Sequence, residues 1–291
     1  MIAVTGASGL TGGFTIQALQ NRGFSDRIRC MIRPQSDLSG LRDNSCVDLA
    51  PGDCLDVHSI QKLVQGCDSL IHIAGISYTA NVIEACKEAG VKRVIFVNTT
   101  GMYSRYRKYA NEYKRMESLI MSSGLDYTIL RPTMIYGGVK DHNISKLVRF
   151  IDRHYFVPVI AGGKALLQPI YAKDLANVIV MCALNRETIR RDYNVAGKEP
   201  IAHVDMLKTI AQALGKKRVF IAIPYWLAYM AGCIGELVPS SFITIERIER
   251  VVENKAFDYS RASDELGFRP ISFEEGIQYE IEDLREHGLV E

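Results

Sequence analysis

Short apolar runs alternate with helix-period segments along the first half of the chain. "MIAVTG", "RIRCMIR", "SLIHIAG", "VKRVIFVNT" and "YTILRPT" are continuous rather than alternating apolar runs, as expected of strands covered on both faces. Between them "LTGGFTIQALQNRG", "SIQKLVQG", "YTANVIEACKEAG" and the tyrosine-rich stretch from Tyr106 to Ile120 carry apolar residues at helical spacing. Strands separated by such helices require right-handed crossovers. The prediction is an α/β fold of Rossmann type, a doubly wound parallel sheet.

After "IYGG" (Ile135 to Gly138) the rhythm changes. "NISKLVRFIDRH" predicts a helix, "QPIYAKDLANVIVMCAL" a short strand and a helix, and "DYNVAG" a last sheet strand. From Lys198 onward helices dominate, ending with "FEEGIQYEIEDLREHG". The expected division is a dinucleotide-binding domain over 1–137 and 165–197, interleaved with a smaller, mostly helical substrate-binding domain over 138–164 and 198–291. Val219 to Val238 carries no charge before Glu236. Pro224 suits the first turn of a helix closing near Pro239, too short for the roughly 20 residues that cross a bilayer. A buried helix or an interface helix at a homodimer face is expected there rather than a membrane anchor.

Composition narrows the function. The 291 residues are 47% hydrophobic, and 35 Lys plus Arg against 33 Asp plus Glu leave a net charge of +2. That balance offers no electrostatic footprint for nucleic acid. The seven cysteines are dispersed without a CxxC pair. They read as reduced core thiols of a cytoplasmic protein, and the opening "MIAVTG" lacks an export signal. No His/Cys/Asp cluster has metal-ligand spacing and no nucleophile elbow is present, so no metal is expected.

The strongest motif is "TGASGLTGG", with glycines at 6, 9, 12 and 13 between the first strand and first helix. Gly6 permits a sharp turn, Gly9 lets backbone approach a pyrophosphate, and Gly12 permits close helix–strand packing. Ala7, Ser8, Leu10 and Thr11 complete the loop, and the helix N-terminus supplies free amides. An NAD site places an acid at the end of the second strand, roughly 20 residues on. Here "CMIRP" places Arg33, whose guanidinium suits a 2′-phosphate. NADP is therefore expected, with Asp37 keeping NAD open.

The chain resembles the extended or atypical short-chain dehydrogenase/reductases, in the NAD-dependent epimerase/dehydratase branch. The resemblance rests on "TGASGLTGG", "PGDCLD", "LIHIAG", "VIFVNTTGMY", "SGLDYTILRPTMIYGG", "LLQPIYAKDLANVI" and "FDYSRASDELGFRPISFEEGI". It implies adenine contact by Asp53 with Cys54 beside it, a dinucleotide lining at Ala74 and Gly75, and a nicotinamide end at Pro132 and Thr133. It implies a carbonyl polarised by Thr99 or Thr100, with a small-molecule substrate such as a nucleotide sugar.

The family's acid–base pair is a Tyr and a Lys four residues apart, the cation lowering a phenol pKa near 10 and holding the nicotinamide ribose. Measured back from "ESLIMSSGLDYTILRP", the Tyr falls on Tyr109 and the Lys position on Tyr113. Lys114 comes one residue late, about 140° around a helix from Tyr109. A one-residue π-bulge would correct that offset. Tyr106 is the alternative tyrosine and Arg107 the alternative cation, while Tyr103 and Arg107 have the four-residue spacing but lie before the expected helix. Without a working pair, the expectation is an NADP-binding sensor or structural subunit like the NmrA-like proteins. Arg105, Arg107, Lys108, Lys114 and Arg115 form either a solvated face or an attractor for a phosphorylated substrate. His72 reads as a satisfied core histidine. His142 is placed to touch substrate.

Overall fold

The computed structural model describes residues 1–42, 44–106, 108–238 and 243–291. The first half runs β1 (Ile2–Thr5), α1 (Leu10–Asn21), β2 (Ile28–Ile32), β3 (Val47–Pro51), α2 (Val57–Val64), β4 (Ser69–His72), α3 (Thr79–Glu88), β5 (Arg93–Val97), α4 (Ala110–Ser122) and β6 (Asp126–Pro132). The second half runs β7 (Ile135–Tyr136), α5 (Ile144–Arg153), β8 (Phe156–Ile160), β9 (Leu166–Leu167), β10 (Ile170–Tyr171), α6 (Ala172–Leu184), β11 (Arg191–Val195), β12 (Ile201–Ala202), α7 (His203–Ala213), β13 (Val219–Ile223), α8 (Tyr225–Glu236), α9 (Ile245–Val252), α10 (Ser260–Leu266) and α11 (Phe273–Glu286).

Seven parallel strands form the central sheet in the order β11-β6-β5-β4-β1-β2-β3. The doubly wound prediction is borne out. Period-two alternation sorts the strand side chains: Ile2 and Val4 pack with α1, α6 and α10 on one face, whereas Ala3 packs with α2 and α3 on the other. The order reverses between β1 and β4, which opens the crevice where such sheets bind ligands. The edge strand β3 escaped the sequence reading because "VDLAP" is short, half-exposed and interrupted by Asp48 and Pro51.

A second core gathers Tyr136 and residues of α5, β8, α7 and α11. Its parallel pair, β8 with β13, lies outside the main sheet. Ser272 caps α11 by accepting from the Glu275 amide, with Glu275 itself in the first turn.

Two helix expectations need correction. Helix α4 starts at Ala110, because Tyr109 sits at its N-cap with φ −95° and ψ 8°, so Tyr106, Lys108 and Tyr109 are not helical. Helix α8 begins after Pro224 as read, and of the two placements expected, buried or interface, it is not the buried one in this chain. Only Ala228, Gly232 and Gly235 are buried, against α9, while Trp226 (63% exposed), Met230, Ile234 and Leu237 (83%) face outward. Among the described residues no helix is long and apolar enough to cross a membrane.

Candidate dinucleotide and substrate site

The glycine loop joins β1 to α1 at the crevice. Gly6 has φ +75°, and a Cβ there would lie 2.9 Å from the Ala74 nitrogen, so the loop leans directly on the chain leaving β4. A Cβ on Gly12 would lie 2.1 Å from the Gly6 carbonyl oxygen, which is why helix and loop approach so closely only with glycine. Gly9 is the N-cap of α1 and provides no side-chain cap, so the first-turn amides stay available to an anion.

Beneath this loop lies a fixed hydrogen-bond relay. His72 is fully buried; its Nε2 donates to the Gly75 carbonyl at 2.9 Å, so its Nδ1 accepts from the Thr5 hydroxyl at 2.7 Å. Burial pushes the His72 pKa down to about 4, and the ring is neutral at physiological pH. Thr5 Oγ1 in turn accepts from the Ile73 and Ala74 amides. The loop after β1 and the loop after β4 are thereby tied together.

One cavity of about 420 Å³ opens over these loops. Of the sequence-predicted cofactor residues it brings together Gly6, Ser8, Gly9, Leu10, Thr11, Gly12, Arg33, Asp53, Cys54 and Ala74. Ala7 lies fully buried beneath the loop, and Gly75 (φ +137°) turns its carbonyl to His72. The Cys54 thiol sits 3.5 Å from the Met31 sulfur, and burial raises its pKa to about 11. Asp53 accepts from the Leu55 amide at 2.9 Å. The exposed Arg33 guanidinium has no hydrogen-bond or ion-pair partner among the described residues, although it lines the cavity.

The cavity also takes in residues the sequence reading passed over. Tyr78 and Met31 line one wall, and Lys140, Asp141 and Asn143 join His142 in closing it from the segment after β7. The legible signal was the charged run "VKDHN" directly after two glycines. Asp141 is buried and fixes this segment, accepting from the Asn143 and Ser145 amides at 2.8 Å each. Val139 is held from the other side, its amide donating to Asp283 at 2.8 Å. Glu280 of α11 is fully buried beside Asp141, with neither oxygen in a well-formed hydrogen bond among the described residues. Burial first, then the Asp141 charge, pushes its pKa up to about 9.

The residues read as catalytic lie apart from this cavity lining. Thr100 is buried and donates to the Pro132 carbonyl at 3.1 Å, which commits its proton to the fold. Thr99 is half-buried, and its oxygen accepts from the Gly101 amide at 3.0 Å, so its proton remains available. Thr133 is buried and donates to the Gln168 carbonyl. Tyr109 is 51% exposed, with Lys108 Nζ 5.9 Å above its ring. Lys114 is exposed on the first turns of α4. Because α4 is a continuous α-helix, no bulge brings Lys114 back toward Tyr109. Arg107 lies outside the described residues. No group of three metal-ligating side chains occurs among the described residues.

The parallel sheet, its reversed strand order and the glycine cradle define a dinucleotide-binding protein. Residues 6–186 match the family model described as NAD(P)H-binding, and the chain belongs to that family. The chain is similar to 3beta-hydroxysteroid-dehydrogenase/decarboxylase isoform 2 of Arabidopsis thaliana, 25% identical over 84% of this chain and 53% of that protein. It is similar to 2-alkyl-3-oxoalkanoate reductase of Shewanella oneidensis, 23% identical over 94% of this chain and 84% of that one. The chain spans only 24% of the length of some other curated relatives. In fold it resembles dTDP-glucose 4,6-dehydratase from Streptomyces venezuelae, solved with NAD bound. The TM-score is 0.79 at 17% identity, over 100% of this chain and 98% of that one.

Proposed function

We propose that the protein is an NADP(H)-dependent oxidoreductase that interconverts a hydroxyl and a carbonyl on a small polar substrate, with a nucleotide sugar as the first class to test. The observation that carries this reading is the meeting of the glycine loop, Arg33 and Ser36 in one cavity, with no acid at the end of β2. A carboxylate there would accept the ribose hydroxyls of NAD; a guanidinium with no partner among the described residues instead favours a 2′-phosphate.

NADP(H), when bound, supplies the hydride. Gly6, Gly9 and the α1 amides would hold its pyrophosphate, and Asp53 and Ala74 its adenosine side. Thr99 is the better of the two threonines to orient a carbonyl, since its proton is not already donated. Tyr109 is the proton-exchanging group in this reading and Lys114 the ribose contact, both reached by substrate closing over the N-terminus of α4. Two interleaved units, as divided from the sequence, and a cytoplasmic homodimer complete it. All seven cysteines are unpaired, as the reducing compartment requires.

A second reading, a less polar oxo compound, is favoured by the outward apolar side of α8 and by the names of the two curated relatives. Turnover separates the readings. Consumption of NADPH with UDP- and dTDP-sugars, then with 3-oxo acids and 3-oxosteroids, identifies the class. An NADP-binding protein that turns over nothing in either panel would instead be the sensor or scaffold of the NmrA-like kind.

A further inference from the structure

Lys140 holds an unusual position. It belongs to the segment after β7, yet its Nζ donates to the Ser8 carbonyl of the glycine loop at 3.1 Å and pairs with Asp37, beyond β2, at 2.8 Å. The cation thus bridges two walls of the dinucleotide cavity from a third part of the chain. Arg33, Ser36 and Ser8 line the same cavity. Two cations and two hydroxyl-bearing residues therefore stand at one side of this space, with Asp37 paired to one of the cations.

Asp37 is fully engaged. One oxygen accepts from the Ser39 amide at 2.9 Å, and the other accepts from the Ser39 hydroxyl at 2.8 Å while pairing with Lys140. Its pKa is held well below the usual carboxylate range, first by Lys140 and then by Ser39. Both oxygens of the Asp37 carboxylate are thus already engaged. The backbone on either side of Lys140 is pinned, Val139 to Asp283 and Asp141 to the start of α5. Only the flexible lysine stem is left to move.

An exposed Lys–Asp pair is ordinarily worth little, and one pair alone would carry no argument. The additional contact to Ser8, and an Arg33 guanidinium without a partner among the described residues, distinguish this one. We propose that Lys140 is the second cation for the ribose 2′-phosphate of NADP(H), with Asp37 holding its place until the cofactor arrives. On binding, the ammonium exchanges a carboxylate oxygen for a phosphate oxygen. Arg33 and Lys140 then flank a group carrying up to two negative charges. The residue supplied from beyond β7 would make cofactor choice depend on both parts of the chain.

This inference rests on the NADP reading above, and the experiment separates their failures. Affinities for NADP⁺, NAD⁺, 2′,5′-ADP and 5′-AMP are measured by calorimetry on the wild type, Lys140→Gln and Asp37→Asn. Loss of a charged hydrogen bond predicts that Lys140→Gln weakens NADP⁺ and 2′,5′-ADP roughly tenfold or more, leaving NAD⁺ and 5′-AMP nearly unchanged. Asp37→Asn removes the competing anion and should tighten NADP⁺ several-fold. Equal weakening of NADP⁺ and NAD⁺ in Lys140→Gln would place the ammonium on the pyrophosphate and overturn the assignment. No change with any ligand would reduce the pair to a surface contact. A wild type that shows no preference for NADP⁺ over NAD⁺ defeats the parent reading as well, whatever the variants do.

Discussion

Arg131 Nε lies 2.9 Å from both carboxylate oxygens of Glu117, and one terminal nitrogen closes on Oε2 at 2.7 Å. Both side chains are buried, at 7% and 3% exposure, so α4 is locked to β6 by a charge pair almost free of solvent. The other terminal nitrogen reaches Asp192 on β11 at 2.6 Å, and Asn98 at the end of β5 donates to Glu117 at 3.1 Å. Three neighbouring strands are thus registered to the helix that presents Tyr109 and Lys114.

Removing Glu117 leaves the buried Arg131 with only the partly exposed Asp192 as its ion-pair partner among the described residues. Glu117→Ala is expected to destabilise the fold by about 3 kcal/mol. Replacing both residues with Leu and Met of similar volume should recover most of that loss. Urea unfolding of the single and double variants measures the difference. A single variant within experimental error of wild type would show that the pair contributes nothing net.

Gly12→Ala forces a methyl onto the Gly6 carbonyl, an approach that backbone cannot relieve by a rotamer change. Stability should fall by roughly 2 kcal/mol, and dinucleotide affinity should fall with it because the loop must shift. Gly13→Ala is the control: nothing lies within 4 Å of a Cβ there, and its affinity should stay near wild type.

Glu280 has a folded pKa near 9 against an ordinary value of 4.5, so between those values the native state binds more protons than the unfolded chain. Stability from this group is complete below pH 4.5 and declines as pH rises toward 9. Glu280→Gln should therefore raise the melting temperature at pH 8 and change it little at pH 4.5. Thermal melts of both proteins across this range test the sign. A stabilisation larger in acid than in base would contradict the buried, protonated carboxyl.

In the proposed reaction, Thr99→Val should lower kcat by about 10²-fold through loss of a donor to the carbonyl. Thr100→Val should act mainly on stability, since its hydroxyl serves Pro132. Tyr109→Phe should lower kcat by about 10²-fold or more with cofactor affinity retained. Steady-state kinetics beside cofactor titration divides these cases. An unchanged kcat in Tyr109→Phe would remove that tyrosine from the chemistry.

The sheet was legible because its signals are local. Uninterrupted apolar runs, helix-period segments and a glycine trio at a strand–helix junction each carry their meaning within about ten residues. The glycine loop and Arg33 at the cavity were legible for the same reason, whereas Asp53 and Ala74 followed from the resemblance. What escaped depends on contacts between distant segments. Lys140 reaches Ser8 and Asp37 across more than a hundred residues, and no window of sequence records that meeting. The start of α4 was misjudged because tyrosines and basic residues fit helical spacing from Tyr106, whereas the chain first enters helix at Ala110. Helix α8 shows a third limit: an apolar segment reads as buried unless the structure reveals which side has nothing against it.

The edge strand β11 pairs with β6 only after the chain has left the sheet, built much of the second core and returned. Tyr259 and Phe268, later still, finish the apolar cover on the first core. During synthesis, a ribosome that has released residues 1–137 has therefore exposed a sheet still lacking one edge and part of its roof. Cooperative folding must wait for the last quarter of the chain. A gene fragment cut after "IYGG" would accordingly yield a sticky, unfinished sheet rather than a portable nucleotide-binding module.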